Sequence, residues 1–472
     1  MKAIYPFLIG SILLLSCEQE KSLNFDILIQ DANIVNTETG AIIEKQNIGI
    51  NGDTIAKIAS LDETQNWTGS QIINAKDKYV IPGLWDMHMH FGADTLIKEN
   101  RNMLPLYLAN GITTIRDCAA DISPSVLKWR KQIENGGLEG PTIFTAGPKL
   151  EGKNSIWPGD LEIETEEELS QALDSLDKLQ VDFVKITDNA LSPDLFLKSV
   201  REATSRGYAT SGHIPLALPV NKVSEAGLTT IEHMGYMLKA GSSKELESIE
   251  ELKEGKIDRG MAQAQIEKNF DEETALKKYE QLAENGTAIV PTLIGNRIIS
   301  YLDENDHLSD PELQYIAPGI IKTYAWRVDR ANKASPEEVR SRKEKYQKLL
   351  GLLPLIKKSG MMIIAGTDAG FLNSYIYPGF ALHDELEIFV EGGLTPLEAL
   401  RTSVVNGPKY FGLSDKYGSV SEGKVADLLI LNRNPLEDIS ATEDIDRLVK
   451  KTKVYDRAQL DKMLDDIKNL YN

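Results

Sequence analysis

The sequence predicts an α/β protein: a (β/α)8 TIM barrel joined to a discontinuous β-sandwich domain formed by both chain ends. Three observations predict it. Between residues 81 and 412, eight short apolar runs alternate for the most part with helix-like stretches, the pattern of repeated β/α units. Residues 25–79 and the segment after 414 read instead as strands separated by turns. The first central run, residues 80–90, ends in His88-Met89-His90, and four more residues able to reach a metal stand at the ends of later runs.

The ends come first. Lys2 and the apolar run at residues 7–15 have the layout of a secretory signal, and the run is too short to span a bilayer. Leu14-Leu15-Ser16-Cys17 resembles the bacterial lipoprotein box, which makes Cys17 the expected lipidation site and mature N-terminus. A plain signal peptide cut near Ser16 is the alternative. The expectation is a cell-envelope lipoprotein, on the periplasmic side or the outer-membrane surface, held at the membrane by its lipid anchor only. Residues 18–22 form a polar tether. Cys118 is the one other cysteine, so no intrachain disulfide is expected once Cys17 is acylated.

Residues 18–80 are the first part of the β-sandwich. Residues 25–29 and 32–35 are apolar runs broken by Gln30-Asp31, and Asn51-Gly52-Asp53 is a hairpin turn between two further strands. Residues 414–472 supply the second part and a tail: a turn at residues 418–424, a buried strand at 426–431, and one more at 448–455. The barrel fills residues 81–413. Its strands are read at 80–90, 111–117, 141–147, 181–186, 208–213, 229–233, 287–292 and 361–368, with helices over stretches such as 165–179 and 193–206. A doubly wound open sheet is disfavoured because no Gly-rich dinucleotide fingerprint follows the first strand. Long charged, helix-prone inserts precede strands 7 and 8, and their helices suit lids or contacts in an oligomer. The formal net charge of −19 argues against non-specific nucleic-acid binding.

In such a barrel the active site lies at the C-terminal strand ends. His88 and His90 share one face of a strand, because side chains alternate. Lys185, His213, His233 and Asp368 end strands 4, 5, 6 and 8. Each has a structural reading when taken alone: Lys185 snorkels, Asp368 caps a helix, His213 closes a turn before Pro215. Six such residues at five separate strand ends are hard to explain by structure alone, and imidazole with carboxylate suits zinc.

The motifs resemble those of the metal-dependent amidohydrolase superfamily. They are residues 81–90, Gly111-Ile112-Thr113-Thr114-Ile115-Arg116-Asp117, Phe183-Val184-Lys185-Ile186, Ile231-Glu232-His233, Ala365-Gly366-Thr367-Asp368-Ala369-Gly370, and the tail motif at residues 423–431. The branch it is most similar to contains imidazolonepropionase-like proteins and zinc dipeptidases. The resemblance implies two divalent metals, most simply Zn2+. One sits on His88, His90 and Asp368, the second on His213 and His233, and a CO2-derived carbamate on Lys185 bridges them. It also implies hydrolysis of a carbon–nitrogen bond in a small-molecule amide, cyclic amide or dipeptide, with Asp368 as general base and then acid. The loop after strand 3 (residues 147–158) and the Gly212-His213-Ile214-Pro215 strand end depart from dipeptidase relatives where substrate would sit. A two-metal lactonase or esterase, a deaminase, and a non-catalytic ligand-binding lipoprotein are the alternatives. Tyr236, Arg297 and His383 are candidate substrate contacts, and His307, in a charged insert, is expected to be solvated.

Overall fold

The computed structural model describes residues 22–155 and 157–471; the targeting segment and Cys17 lie outside the described residues. Strand β1 (Asn24–Val35) runs unbroken through the expected interruption. Gln30-Asp31 is a bulge: the pairing with β2 (Ile42–Asn51) shifts between Ile29 and Ala32, and Asp31 has φ 58°. An extra residue in one strand is absorbed without ending the ladder. The expected hairpin joins β2 to β3 (Thr54–Ser60), with Gly52 at φ 56° in its turn. Strands β4 (Thr68–Asn74) and β5 (Tyr79–Pro82) both lie parallel to β1.

Residues 80–90 are two strands rather than one. After β5 the chain passes through Gly83 into β6 (Leu84–Phe91), which belongs to a different sheet. Gly83 is required there: a Cβ would fall 2.3 Å from Thr113 Cγ2. Strand β6 pairs in parallel with β7 (Ile112–Ala120), and β7 with β8 (Thr142–Thr145). Short β9 (Leu150–Glu151) and β10 (Leu161–Glu162) follow. Then β11 (Phe183–Ile186), β12 (Ala209–Gly212), β13 (Thr230–Glu232) and β14 (Ala288–Val290) pair in parallel in sequence order.

Backbone hydrogen bonds continue past the ends of these sheets. Asp182 N donates to Thr145 O (3.0 Å), Ile289 N to Met362 O (2.9 Å), Ile364 N to Ile289 O (2.9 Å) and Met87 N to Ala365 O (3.0 Å). The eighth run is reduced to a bridge at Ile363 and β15 (Ala369–Gly370), which pairs with β6. The cause is local: Thr367 N and Asp368 N both converge on His88 O, and Asp368 turns to φ 66°.

The connecting helices bury one face. Glu166–Leu179 starts at a capping box of Thr165 and Glu168 and buries Leu169, Leu173 and Leu176. Pro193–Ser205 is capped by Ser192 and buries Leu195, Phe196, Leu197 and Val200. Each such side chain contributes about 1.5–3 kcal/mol, which anchors the helices over the parallel strands.

At the C-terminal end, β16 (Asp427–Leu431) pairs antiparallel with β5. The stretch read as one strand over 448–455 is a hairpin of β17 (Ile445–Lys450) and β18 (Lys453–Asp456), turning at Lys451 with φ 57°. The tail closes as a helix, Arg457–Tyr471, whose Leu460 and Ile467 are buried. Strands from both chain ends thus share one eight-stranded sheet. Cys118 is buried and free, and no helix among the described residues is long and apolar enough to cross a membrane.

Candidate metal centre and active site

The ends of β6, β11, β12 and β13, with the turn after Ile364, bring the site together. His88 Nε2 lies 3.1 Å from His90 Nε2 and 3.3 Å from Asp368 Oδ1, and His90 Nε2 lies 3.0 Å from the same oxygen. These three donors match ligands about 2.0–2.2 Å from a shared tetrahedral ion, whose ligand–ligand edge is about 3.3 Å. Beside them, His213 Nε2 is 3.0 Å from His233 Nε2, and the His88 and His233 rings are 5.1 Å apart. Lys185 Nζ is buried without a hydrogen-bond partner. Burial lowers Lys185 towards the neutral amine and pushes His213 well down, as it does His233 to about 3, so these bases favour the uncharged forms that ligation needs. His90, Lys185, His213, His233 and Asp368 line a single cavity of about 110 Å3. All six strand-end residues read from the sequence therefore converge. His233 and Asp368 do so in left-handed backbone conformations (φ 75° and 66°), strain that the surrounding hydrogen bonds hold in place.

Beneath the site lies a buried polar web to which the sequence reading gave no role. Glu232 accepts hydrogen bonds from Arg116 Nη2 (2.7 Å), Ser211 Oγ (2.5 Å) and Thr230 Oγ1 (2.7 Å), and its Oε2 meets His88 Nδ1 at 2.7 Å. Burial raises its carboxyl, but Arg116, Lys185 and His88 outweigh that and hold it well below the usual range. The carboxylate therefore fixes the proton of His88 on Nδ1 and orients Nε2 into the site. His233 Nδ1 is held likewise by Thr292 Oγ1 at 2.7 Å. Asp86 accepts from Thr367 Oγ1 (2.7 Å) and braces the turn that carries Asp368. The available signal for Glu232 was its place in a buried strand immediately before a ligand candidate: an acid there needs buried partners.

The three expected substrate contacts do not reach the site. His383 spends both ring nitrogens on structure, Nδ1 at 2.9 Å from Thr442 Oγ1 and Nε2 at 3.0 Å from Asn110 O, fully buried. Arg297 pairs with Glu391 at 3.3 Å and lines a separate cavity of about 720 Å3. Tyr236 lines another, of about 230 Å3, with Asp188, Lys239 and Arg259. His307 is only partly solvated: it pairs with Asp310 at 2.7 Å and stacks on Tyr375.

Comparison with known proteins follows the same lines. The sequence model of the amidohydrolase family matches residues 79–455. Ochratoxinase from Aspergillus niger is 23% identical over 418 residues, covering 77% of this chain and 72% of its own. Among solved structures, a Xaa-Pro dipeptidase with bound methionine in its active site superposes with a TM-score of 0.65 at 20% identity, covering 91% of this chain and 99% of its own. The bottromycin amidohydrolase gives 0.72 at 16% identity, covering 94% and 90%. At these identities the likeness to the solved structures is one of fold.

Proposed function

Since the chain belongs to the amidohydrolase family, we propose that it hydrolyses carbon–nitrogen bonds of small amides or peptides at the cluster of His88, His90, Lys185, His213, His233 and Asp368. The observation that carries this reading is the convergence of two imidazoles and a carboxylate at 3.0–3.3 Å beside a second imidazole pair. Similar folds named as a Xaa-Pro dipeptidase and an amidohydrolase support the bond type.

His88, His90 and Asp368 would hold one divalent ion, with zinc as the natural fit to nitrogen and oxygen donors. His213 and His233 would hold a second. Bound there, such ions would supply Lewis acidity, bringing the pKa of water down towards about 7 and polarising a carbonyl. Asp368 faces the site with a carboxyl that burial raises but contacts to His88 and His90 hold well below its usual range. It is an ionised base at neutral pH, placed to take a proton on its carboxylate and pass it to the leaving nitrogen. Lys185 Nζ, buried, lowered and unpartnered, is placed for carboxylation by CO2. A carbamate formed there from the neutral amine and CO2, with release of one proton, would supply beside His213 and His233 the oxygen ligand that an ammonium cannot.

The same reading extends to the frame. The hydrogen bonds at Thr145–Asp182, Ile289–Met362 and Met87–Ala365 support closure of the parallel strands into a (β/α)8 barrel over residues 81–413. The shared chain-end sheet supports a β-sandwich domain from residues 18–80 and 414–472. We further propose that residues 1–17 direct export and that Cys17 is lipidated, placing the enzyme in the cell envelope. The deciding experiment is to load the protein with zinc, measure metal by elemental analysis, and screen N-acyl amino acids, dipeptides, cyclic imides, lactones and purines. Two equivalents of metal with amide turnover are expected. Turnover of lactones or purines alone would refute the amide assignment.

A further inference from the structure

The insert between β14 and β15 folds over the histidine cluster and carries the helix Ala325–Asn332, with Trp326 and Arg327 in its first turn. Arg327 is the one residue of that helix that lines the 110 Å3 cavity beside His90, Lys185, His213, His233 and Asp368. It also lines the cavity of about 870 Å3 that opens beyond His233 and Asp368. Its Nε is buried with no hydrogen-bond partner, and among the described residues its guanidinium makes no ion pair. The contact it does make is with the face of Trp326, 5.2 Å from Cζ to the ring centre. Asp368 is the carboxylate acting on it electrostatically, and that oxygen is already committed to His88 and His90. A half-buried guanidinium that makes no ion pair beside the histidine cluster leaves its fork free for a planar anion.

Two further observations point the same way. In a chain of formal net charge −19, the larger cavity is lined by Arg327, Arg330, Lys333 and Arg342 against Glu338 and Asp368. Glu338 is itself tied to the N-cap at Ser335. The smaller cavity is walled by Trp157, which meets Trp326 edge-on with ring centres 6.2 Å apart. Trp326 in turn is fixed by donation from Nε1 to Leu372 O at 3.2 Å. A cationic fork therefore sits next to the site, with an aromatic wall at its side.

Resting on the hydrolase reading above, we infer that Arg327 sets specificity by pairing with a substrate carboxylate next to the scissile amide. The preferred substrates are then N-acyl amino acids and dipeptides with a free C-terminal carboxylate. The test uses the zinc-loaded full chain and matched pairs: an N-acyl amino acid against its carboxamide. Wild type should favour the free acid by about 10–100-fold in kcat/KM, the size of a lost charge-assisted bidentate contact. Arg327→Met should lose that factor on acids, chiefly through KM, while changing carboxamide turnover less than about threefold. Arg327→Lys, which keeps the charge without the fork, should fall between them and guards against misfolding. Titration calorimetry of the free amino acid product reads the same contact without catalysis, with binding expected in wild type and lost in Arg327→Met. Equal handling of acid and carboxamide by wild type and both variants would overturn the inference and leave the hydrolase reading standing. If no amide is turned over at all, the hydrolase reading fails, and calorimetry decides alone: undiminished binding in Arg327→Met overturns the inference.

Discussion

Glu232→Gln is the substitution that separates a site held by its ligands from a site held by what lies beneath them. The change keeps size and removes one charge. Glu232 sits fully buried with four partners: His88, Arg116, Ser211 and Thr230. Arg116 is also fully buried, wedged between the Phe183 and Tyr410 rings at 5.0 and 5.3 Å. Removing the carboxylate leaves that guanidinium without its counter-charge, which costs about 3–5 kcal/mol for a broken buried pair. The amide of Gln must also turn its NH2 towards at least one of four groups that now donate, so a hydrogen bond becomes a clash of donors. At His88 the loss is of orientation: Nδ1 no longer has a carboxylate fixing its proton, and zinc affinity should fall by about 10–100-fold. Two assays read the two effects. Urea unfolding of metal-free protein gives the stability term, and competition with a chelating dye gives the metal term. A Glu232→Gln protein with wild-type unfolding midpoint and wild-type zinc affinity would refute the claim that this web positions His88.

Other expectations follow from the same geometry. Lys185→Ala should lose metal and activity but regain part of both with added small carboxylates, since what is missing is an oxygen ligand; Asp368→Asn should keep much of the metal, fall by about 10²–10⁴-fold in turnover, and resist such rescue because a diffusing base lacks position. Intact-mass and 13C measurements on CO2-equilibrated protein should find the carbamate on Lys185, and its absence from fully active enzyme would sink the bridging role. His383→Ala should destabilise by about 2–4 kcal/mol through a buried cavity and the orphaned Asn110 carbonyl, with metal content unchanged; a lost metal would return His383 to the site. Gly83→Ala should cost about 1–3 kcal/mol by overpacking against Thr113, readable as a lower urea midpoint, and an unshifted midpoint would show that the crossing between sheets has slack.

The six ligand candidates were legible because strand ends are marked twice, by an apolar run of period-two or continuous type and by a polar residue that stops it. His88 and His90 needed only the alternation of a strand. The errors arose where a local pattern is shared by two structures. Residues 80–90 read as one strand because nothing in an apolar run announces a change of sheet; Gly83 is the mark, and its reason is a tertiary contact with Thr113. Residues 448–455 read as one strand because the turn at Lys451 uses a left-handed lysine instead of glycine. The tail helix Arg457–Tyr471 gives little sequence signal because few of its residues are buried, Leu460 and Ile467 among them.

The expected substrate contacts lie away from the histidine cluster for a further reason. Arg297, Tyr236 and His383 lie just past expected strand ends, which fixes their distance along the chain but not which way a helix turns them. In the helix Ala381–Glu391, His383 falls on the face that buries Leu382 and Leu386, and its partners Asn110 and Thr442 come from two remote segments. Arg327 had the opposite history: it lies about 40 residues from the nearest candidate ligand, in an insert with no strand end to point to it. What brings it to His233 and Asp368 is the folding of that insert back across the ends of the parallel strands, a property of the packing of Tyr324 and Ala331 against the core. Chemistry carried on strands can be read from the sequence, because the strand fixes both place and direction. Recognition carried on an inserted helix depends on where that helix docks, and the sequence marks that only through scattered apolar residues with no period of their own.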